Sequence, residues 1–438
     1  MDETVKVLLI GNGAREHVLA KTFMRAPEKV ALYGVMAAKN PGIGELCEES
    51  FITPLDDLAS IVAFAKRSGV DFAVIGPEKP LADGIVDALA EEGIPSVGPT
   101  RELAQLESSK GFTRSLMERY GVPGLPRFMI LKTEENLQKF IDGLEQIVVK
   151  PDGLTGGKGV QVQGDHFQTK EEGLAYAKKL IEQDGKVVIE EKLVGEEFSL
   201  MTLTDGRTIR DCPLVQDHKR AFVMDKGPNT GGMGSYSEAD HSLPFLTAAD
   251  VRKARRINEK MVEVLYRETG KYFKGVLYGG FIATKDDVKL IEYNVRFGDP
   301  EAMNVLPLLR TSLVSVCRAI IDGTLRDLEV EFDHRATVCK YIVPEGYPEH
   351  PVKGETVTIG PHDADLYFAS VEKKDGHLVM LGSRALAFVG VGATLEEAER
   401  IAQASVEGVK GKVFFRQDIG TQKLIDRRIA HMQELRGE

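Results

Sequence analysis

The 438-residue sequence has no tryptophan, only four cysteines, and fewer basic than acidic side chains. Cys47, Cys212, Cys317 and Cys339 are scattered without any C-x-x-C pair, a pattern that fits neither a disulfide scaffold nor a zinc site. They read as reduced cysteines of a cytosolic protein. No apolar run approaches the roughly 20 residues of a membrane span, and the N-terminus lacks a signal-peptide pattern. The chain is therefore expected to be cytoplasmic, with no membrane partner. A net charge of −11 argues against a nucleic-acid coat or a membrane-surface anchor, since both reward basic faces. Internal repeats and low-complexity tracts are also missing.

What is present is an ordinary globular composition, 42% hydrophobic and 28% charged. This length exceeds what one core usually supports, so about two to four packed units are expected. The first hundred residues alternate short apolar runs ("VKVLLIG", "DFAVIGPE", "GIPSVGPT") with helical stretches such as "LDDLASIVAFAKRSG", which implies a parallel, doubly wound sheet. A single helix is predicted through "LAQLESSKGFTRSLMERYG", ending at Gly121, followed by the extended "VPGLPRF". Residues 148–198 read as α+β: strands "IVVKPDG", "GVQVQG" and "KVVIEEKL", with a helix near residues 171–183. "VRKARRINEKMVEVLYRETG" reads as an amphipathic helix before the paired strands "GVLYGGFIAT" and "DVKLIEYNV". The last hundred residues are strand-rich with one clear helix, "TLEEAERIAQASVEGV".

Five stretches could carry chemistry. In "LLIGNGAREHVLA", Gly11 and Gly13 follow a strand and open a helix, as in loops that hold phosphate on backbone N–H groups, here with help from Arg15. A tight strand-to-helix turn is the alternative. The dinucleotide fingerprint fails, because His17 stands where a third glycine would aid packing and no acidic residue clearly closes a second strand. In "VVKPDGLTGGKGVQV", Lys150 ends a strand and glycines surround Lys158, offering N–H groups and ammonium to a polyphosphate. Solvated hairpin glycines are the alternative, and Gly159 after Lys158 rules out a Walker A register. Downstream, "VVIEEKLVGEEFS" offers an edge for an adenine and a carboxylate for ribose hydroxyls, or merely a charged surface.

"LIEYNVRFGDP" puts polar residues where a half-buried strand should be apolar. Strict alternation places Val288, Leu290, Glu292 and Asn294 on one face, with Arg296 joining them, and Ile291, Tyr293 and Val295 on the other. Two oxygen ligands about 7 Å apart along a strand suit a hard cation bridged to phosphate. A structural hydrogen-bond network is the alternative. In "LVQDHKRAFVMDKGPNTGGMGSYS", Asp217, His218, Lys219 and Arg220 crowd before a glycine-rich segment. His218, like His17, reads as a solvated or orienting group more readily than as a general base.

The motifs "GNGAREH", "IGPEKPLADGIVDAL", "SSKGFTRSLMERYGVP", "VVKPDGLTGGKGV", "QDHKR", "GPNTGGMGSYS" and "NVRFGDPE" occur in an order and spacing that resembles the glycinamide ribonucleotide synthetase (phosphoribosylamine–glycine ligase) family of the ATP-grasp superfamily. The resemblance spans nearly the whole chain, more loosely after "CKYIVPEGYPE". It implies an α/β and α+β multidomain protein: a Rossmann-like N-terminal domain over 1–106, an ATP-grasp domain over 107–328 with a mobile subdomain at about 124–195, and a small strand-rich C-terminal domain over 329–438. It further implies an enzyme of purine synthesis that uses ATP with Mg²⁺ or Mn²⁺ to activate glycine as an acyl phosphate, which the amine of 5-phosphoribosylamine then attacks. No nucleic-acid partner is expected, and the chain is expected to act as a monomer.

Carried onto this sequence, the resemblance makes Glu292 and Asn294 metal ligands, and Lys110, Lys150, Gly156, Gly157, Lys158 and Gly159 contacts of the ATP phosphates. Glu190 and Leu193 would lie beside the adenine and Glu197 near the ribose. Gly13, Arg15 and Glu16 would hold phosphoribosylamine, while Asp217, Lys219, Arg296 and Gly298 would line the glycine and acyl-phosphate site. Two departures stand out. The family pattern continues with a glutamine where this chain has Met303, and "GVLYGGFIAT" contributes no second metal-binding glutamate. Competing expectations are another ATP-grasp carboxylate–amine ligase or carboxylase, and a nucleotide sensor without turnover.

Overall fold

The computed structural model describes residues 4–133, 137–154 and 159–437. The strand Val5–Ile10 is buried at every position but Lys6, as expected of a strand covered on both faces. Around it, Glu49–Ile52, Val30–Met36, Val5–Ile10, Phe72–Ile75 and Ser96–Val97 form an all-parallel sheet in that spatial order. The strand order reverses direction between Val5–Ile10 and Phe72–Ile75. In such sheets the crevice at the carboxyl ends of these two strands is where ligands bind. Sequence pattern marked three of the five strands. Val30–Met36 is interrupted by Gly34, and Glu49–Ile52 is a short edge with Glu49 and Ser50 in it, so neither shows a clean period.

The single helix expected up to Gly121 is two, Arg101–Ser108 and Lys110–Tyr120. Ser109 leaves the helical conformation, and its Oγ caps the second helix by accepting from Phe112 N at 3.1 Å. Two sheets follow. The smaller has the order Phe128–Leu131, Val187–Glu191, Ile147–Pro151, Gln161–Val162, and with helix Lys170–Asp184 it encloses a core of its own. The larger has the order Ile209–Asp211, Glu196–Thr204, Gly275–Ala283, Val288–Asn294, backed by helix Ala248–Thr269.

In the third region Ala336–Pro344 is central. Leu386–Gly392 and Asp365–Phe368 extend the sheet on one side, while Gly234–Ser237 and Gln216–Asp217 extend it on the other. One sheet thus fastens the "QDHKR" segment to the C-terminal third. The final helix, Gln422–Arg436, was not anticipated. Its apolar stripe is thin, only Leu424, Ile425 and Met432 being buried, and charges hold it instead: Arg428 to Glu196 and Asp225, Arg436 to Asp250.

Candidate active site

The strand Val288–Asn294 does not keep strict alternation. Its pairing with Gly275–Ala283 shifts between Leu290, opposite Phe281, and Glu292, opposite Gly280, which leaves Ile291 as a bulge. The extra residue reverses the faces. Val288, Leu290, Tyr293 and Val295 all face the core, whereas Glu292, Asn294 and Arg296 share the other, half-buried side. Grouping Glu292, Asn294 and Arg296 was therefore right, but Val288 and Leu290 do not belong with them. The polar residues escape the core through one inserted residue.

Charges converge on that side. Burial pushes the Glu292 carboxyl up, but Lys219, Lys110, Lys150 and Arg296 outweigh it and hold the group below its ordinary value. Lys150 is the penultimate residue of the strand Ile147–Pro151; its Nζ lies 2.7 Å from Glu190 Oε2 and donates to the Ile291 carbonyl at 3.2 Å. Lys110 opens helix Lys110–Tyr120 and donates to Gly153 O at 3.1 Å. Lys219 lies 3.3 Å from Glu197, which is exposed. Glu197, then Asp217, Glu292 and Glu301, raise the Lys219 ammonium well above its usual pKa against the opposing effect of burial. Arg296 donates to Glu107 at 2.9 Å and lies 3.5 Å from Glu78; these carboxylates keep it charged despite burial.

Glu190 is 2% exposed and doubly bound: Arg114 approaches it at 2.6 and 3.0 Å from Nε and Nη2, and Lys150 at 2.7 Å. Burial opposes its ionisation, but Arg114 and Lys150 bring the carboxyl down to about 2. Arg114 also donates to the carbonyls of Leu290 and Ile291, so the bulge is tied to this triad. Leu193 is half-buried in the connection from Val187–Glu191 to Glu196–Thr204. The Gly159 carbonyl accepts from the Tyr176 hydroxyl at 2.8 Å. Gly156, Gly157 and Lys158 lie outside the described residues.

The N-terminal sheet supplies a second face. Gly13 N–H donates to Glu16 Oε2 at 2.5 Å, and Arg15 Nε meets Glu16 Oε1 at 2.6 Å. Glu16 therefore shapes the loop from within. It fills the space beside Gly11 and Gly76, where an added Cβ would collide with its side chain, so both glycines are needed for this packing. Arg15 reaches across to the Phe297 carbonyl at 3.2 Å, joining the loop to the turn after Arg296. His17 packs against Gly42, stacks on Phe368, and accepts from Phe368 N–H at 2.9 Å. Burial, then Lys21, lowers it to about 3, so it is a neutral spacer. His218 is likewise buried, 1% exposed, stacked on Tyr236 with Nδ1 3.6 Å from Asp225; it is not solvated.

Between the two faces lies the turn 297–301. Gly298 admits no side chain, since a Cβ would strike Glu301, and its N–H points at Met201 Sδ, 3.5 Å away. Glu301 is buried and accepts from the Tyr278 hydroxyl at 2.9 Å; burial, then Asp217, pushes it up to about 7. Burial likewise raises Asp217, with Lys219 opposing. Met303 sits fully buried in the main core. Sequence reasoning missed Glu107, Arg114, Tyr278 and Glu301 as site residues. Arg114 and Glu301 lay inside quoted motifs, but nothing local marked Glu107 or Tyr278, whose roles depend on which strand ends meet.

Glu292 and Asn294 supply a carboxylate and an amide oxygen on one side of a strand, a donor chemistry that suits a hard cation completing its shell with phosphate oxygens and water. No group of three or more His, Cys, Asp or Glu positioned to hold a metal occurs among the described residues.

Two sheets tied together where Lys150 and Arg114 reach both Glu190 and the Ile291 carbonyl, with lysines at strand and helix ends, fit the ATP-grasp class, and the family model for the ATP-grasp (A) domain of phosphoribosylglycinamide synthetase matches residues 108–302. Its N and C domain models match residues 5–107 and 337–422. The chain belongs to the phosphoribosylglycinamide synthetase family. It is 47% identical over 434 residues to a phosphoribosylamine–glycine ligase of Methanosarcina barkeri, covering 99% of this chain and 100% of that protein. A protein of the same name from Methanocaldococcus jannaschii is 49% identical over 445 residues, covering 99% of this chain and 100% of the relative. The crystal structure of phosphoribosylamine–glycine ligase from Thermotoga maritima superposes with a TM-score of 0.80 at 32% identity, covering 94% of this chain and 100% of that one.

Proposed function

We propose that the protein is an ATP-dependent ligase that joins glycine to 5-phosphoribosylamine, giving glycinamide ribonucleotide, ADP and phosphate. The observation that carries this reading is the convergence of Lys110, Lys150, Lys219 and Arg296 on Glu292. Phosphoryl transfer needs positioning and charge neutralisation more than a protein nucleophile, and four cations with one carboxylate–carboxamide pair supply that.

Lys110 and Lys150 bind the ATP phosphates. Glu190 holds Lys150 and the adenine edge together with Leu193, and Glu197 serves the ribose. Glu292 and Asn294 hold Mg²⁺ or Mn²⁺, which when bound neutralises charge between the phosphates. Arg296, Lys219 and Asp217 orient the glycine carboxylate, whose oxygen attacks the γ-phosphorus as ADP leaves. The amine of phosphoribosylamine, held at Gly13, Arg15 and Glu16, then attacks the glycyl carbonyl beside Gly298. Phosphate departs with the original carboxylate oxygen, and one amine proton is lost. Shielding by the two sheets protects the acyl phosphate from water.

We divide the chain at 1–106, 107–328 and 329–438, with a mobile subdomain at about 124–195, and we take the protein to be a cytoplasmic monomer. Purified protein with ATP, Mg²⁺ and freshly generated phosphoribosylamine should release ADP only when glycine is added. Release supported equally by another amino acid, or none with glycine, would overturn the assignment.

A further inference from the structure

Arg384 belongs to the C-terminal third, two residues before strand Leu386–Gly392, yet its guanidinium is only 16% exposed and is turned towards the site. Its Nη1 lies 2.6 Å from Gly231 O, 3.1 Å from Gly232 O, 3.1 Å from Asp299 O and 3.2 Å from Asp299 Oδ1. Two hydrogens cannot make four full hydrogen bonds, so the charge is shared among dipoles from two separate segments. The guanidinium also stacks 4.5 Å from the ring centre of Tyr341, whose hydroxyl donates to Asp299 Oδ1 at 2.6 Å.

The two segments gathered this way are the glycine-rich stretch around 231–232 and the turn that follows Arg296 and Gly298. No backbone hydrogen bond joins them among the described residues; Gly232 merely packs on Pro300. With Oδ1 of Asp299 taken by Tyr341 and Arg384, its Oδ2 faces the N-terminal loop, 3.7 Å from where a Cβ on Gly13 would stand.

We propose that Arg384 is a positioning residue for the ligation: by clamping the 231–232 stretch to the turn at Asp299, it sets the spacing between the amine-substrate loop at Gly13 and the acyl-phosphate side at Gly298. The inference rests on the ligase reading above. Its loss should be felt by the amine substrate, which must bridge the two faces, and not by ATP, which lies against Lys110 and Lys150. Lysine retains the charge but not the flat guanidinium face that stacks on Tyr341 and fixes the nitrogen between the two segments.

The test uses full-length Arg384→Met, Arg384→Lys and Tyr341→Phe beside the unaltered enzyme, each assayed at least about 10 °C below its own melting temperature. Arg384→Met should raise KM for phosphoribosylamine about tenfold or more and lower kcat, with KM for ATP within about twofold, as expected when a supporting contact slips. Added guanidinium ion should restore part of its rate. Arg384→Lys should remain impaired, and Tyr341→Phe should shift the same KM by a smaller factor.

A lowered melting temperature with unchanged kinetic constants, or equal rises in all three KM values, would overturn the proposal. If Arg384→Met does not fold, an unchanged phosphoribosylamine KM in Tyr341→Phe overturns it. Absence of glycine-dependent ADP release from the unaltered enzyme would instead defeat the ligase reading.

Discussion

At the scale of single residues, the site is built on charges that burial opposes and neighbours restore. Glu292 accepts no hydrogen bond among the described residues, and its ionised state rests on four cations from four different stretches of chain. Glu292→Gln should therefore lower kcat at least about 100-fold, since it removes a preorganised charge, while shifting the melting temperature by no more than about 3 °C. Steady-state ADP release and a thermal melt check this; near-normal turnover would remove Glu292 from the site. Glu190 makes the complementary statement about stability. Its folded pKa of about 2 lies below the ordinary 4.5, so its contribution is fully present above pH 4.5 and is lost as pH falls towards 2. Urea midpoints measured from pH 6 down to 2.5 should decline over that window. Glu190→Gln should flatten the decline while costing about 3–5 kcal/mol at neutral pH, because Arg114 and Lys150 are left buried without their partner. An unchanged pH profile would contradict the assignment.

At the scale of elements, the decisive feature is the bulge at Ile291. Inserting one residue between Ile291 and Glu292 shifts the register by one and swings Glu292 and Asn294 towards the core, an effect that reverses every side chain beyond it. The insertion should abolish glycine-dependent ADP release and lower the urea midpoint; a fully active insertion variant would show that this register does not orient the pair. Sequence pattern revealed that these polar residues were out of place, and it grouped Glu292, Asn294 and Arg296 correctly. It did not reveal the bulge, because an inserted residue leaves composition unchanged and appears only in the pairing with Gly280 and Phe281. Elements with strong periods were legible: the helix read from residue 251 spans Ala248–Thr269, and the strands around Lys150 and Glu190 lie where expected. The helix break at Ser109 and the helix Gln422–Arg436 were not, since one depends on a side-chain cap and the other on ion pairs to distant residues.

At the scale of the whole molecule, the site exists because sheets from distant parts of the chain meet. Arg15, in the helix after the first strand, donates to the carbonyl of Phe297, Arg114 reaches both Glu190 and the Val288–Asn294 strand, and the C-terminal third sends Tyr341 and Arg384 to Asp299. None of these pairings is local, so none could be read from spacing; the motifs announced that a site exists, and the fold decides which residues share it. The three-region architecture and the family were legible, because glycine-rich loops at strand ends survive as short, ordered signatures. The proposed reaction activates glycine as an acyl phosphate before the amine attacks. Its most direct test uses glycine labelled with oxygen-18 in its carboxylate, together with ATP, Mg²⁺ and phosphoribosylamine, and mass analysis of the phosphate released. Transfer of one labelled oxygen to each phosphate, in step with ADP and amide, is the predicted result. Phosphate free of label, released while amide forms, would exclude a glycyl phosphate.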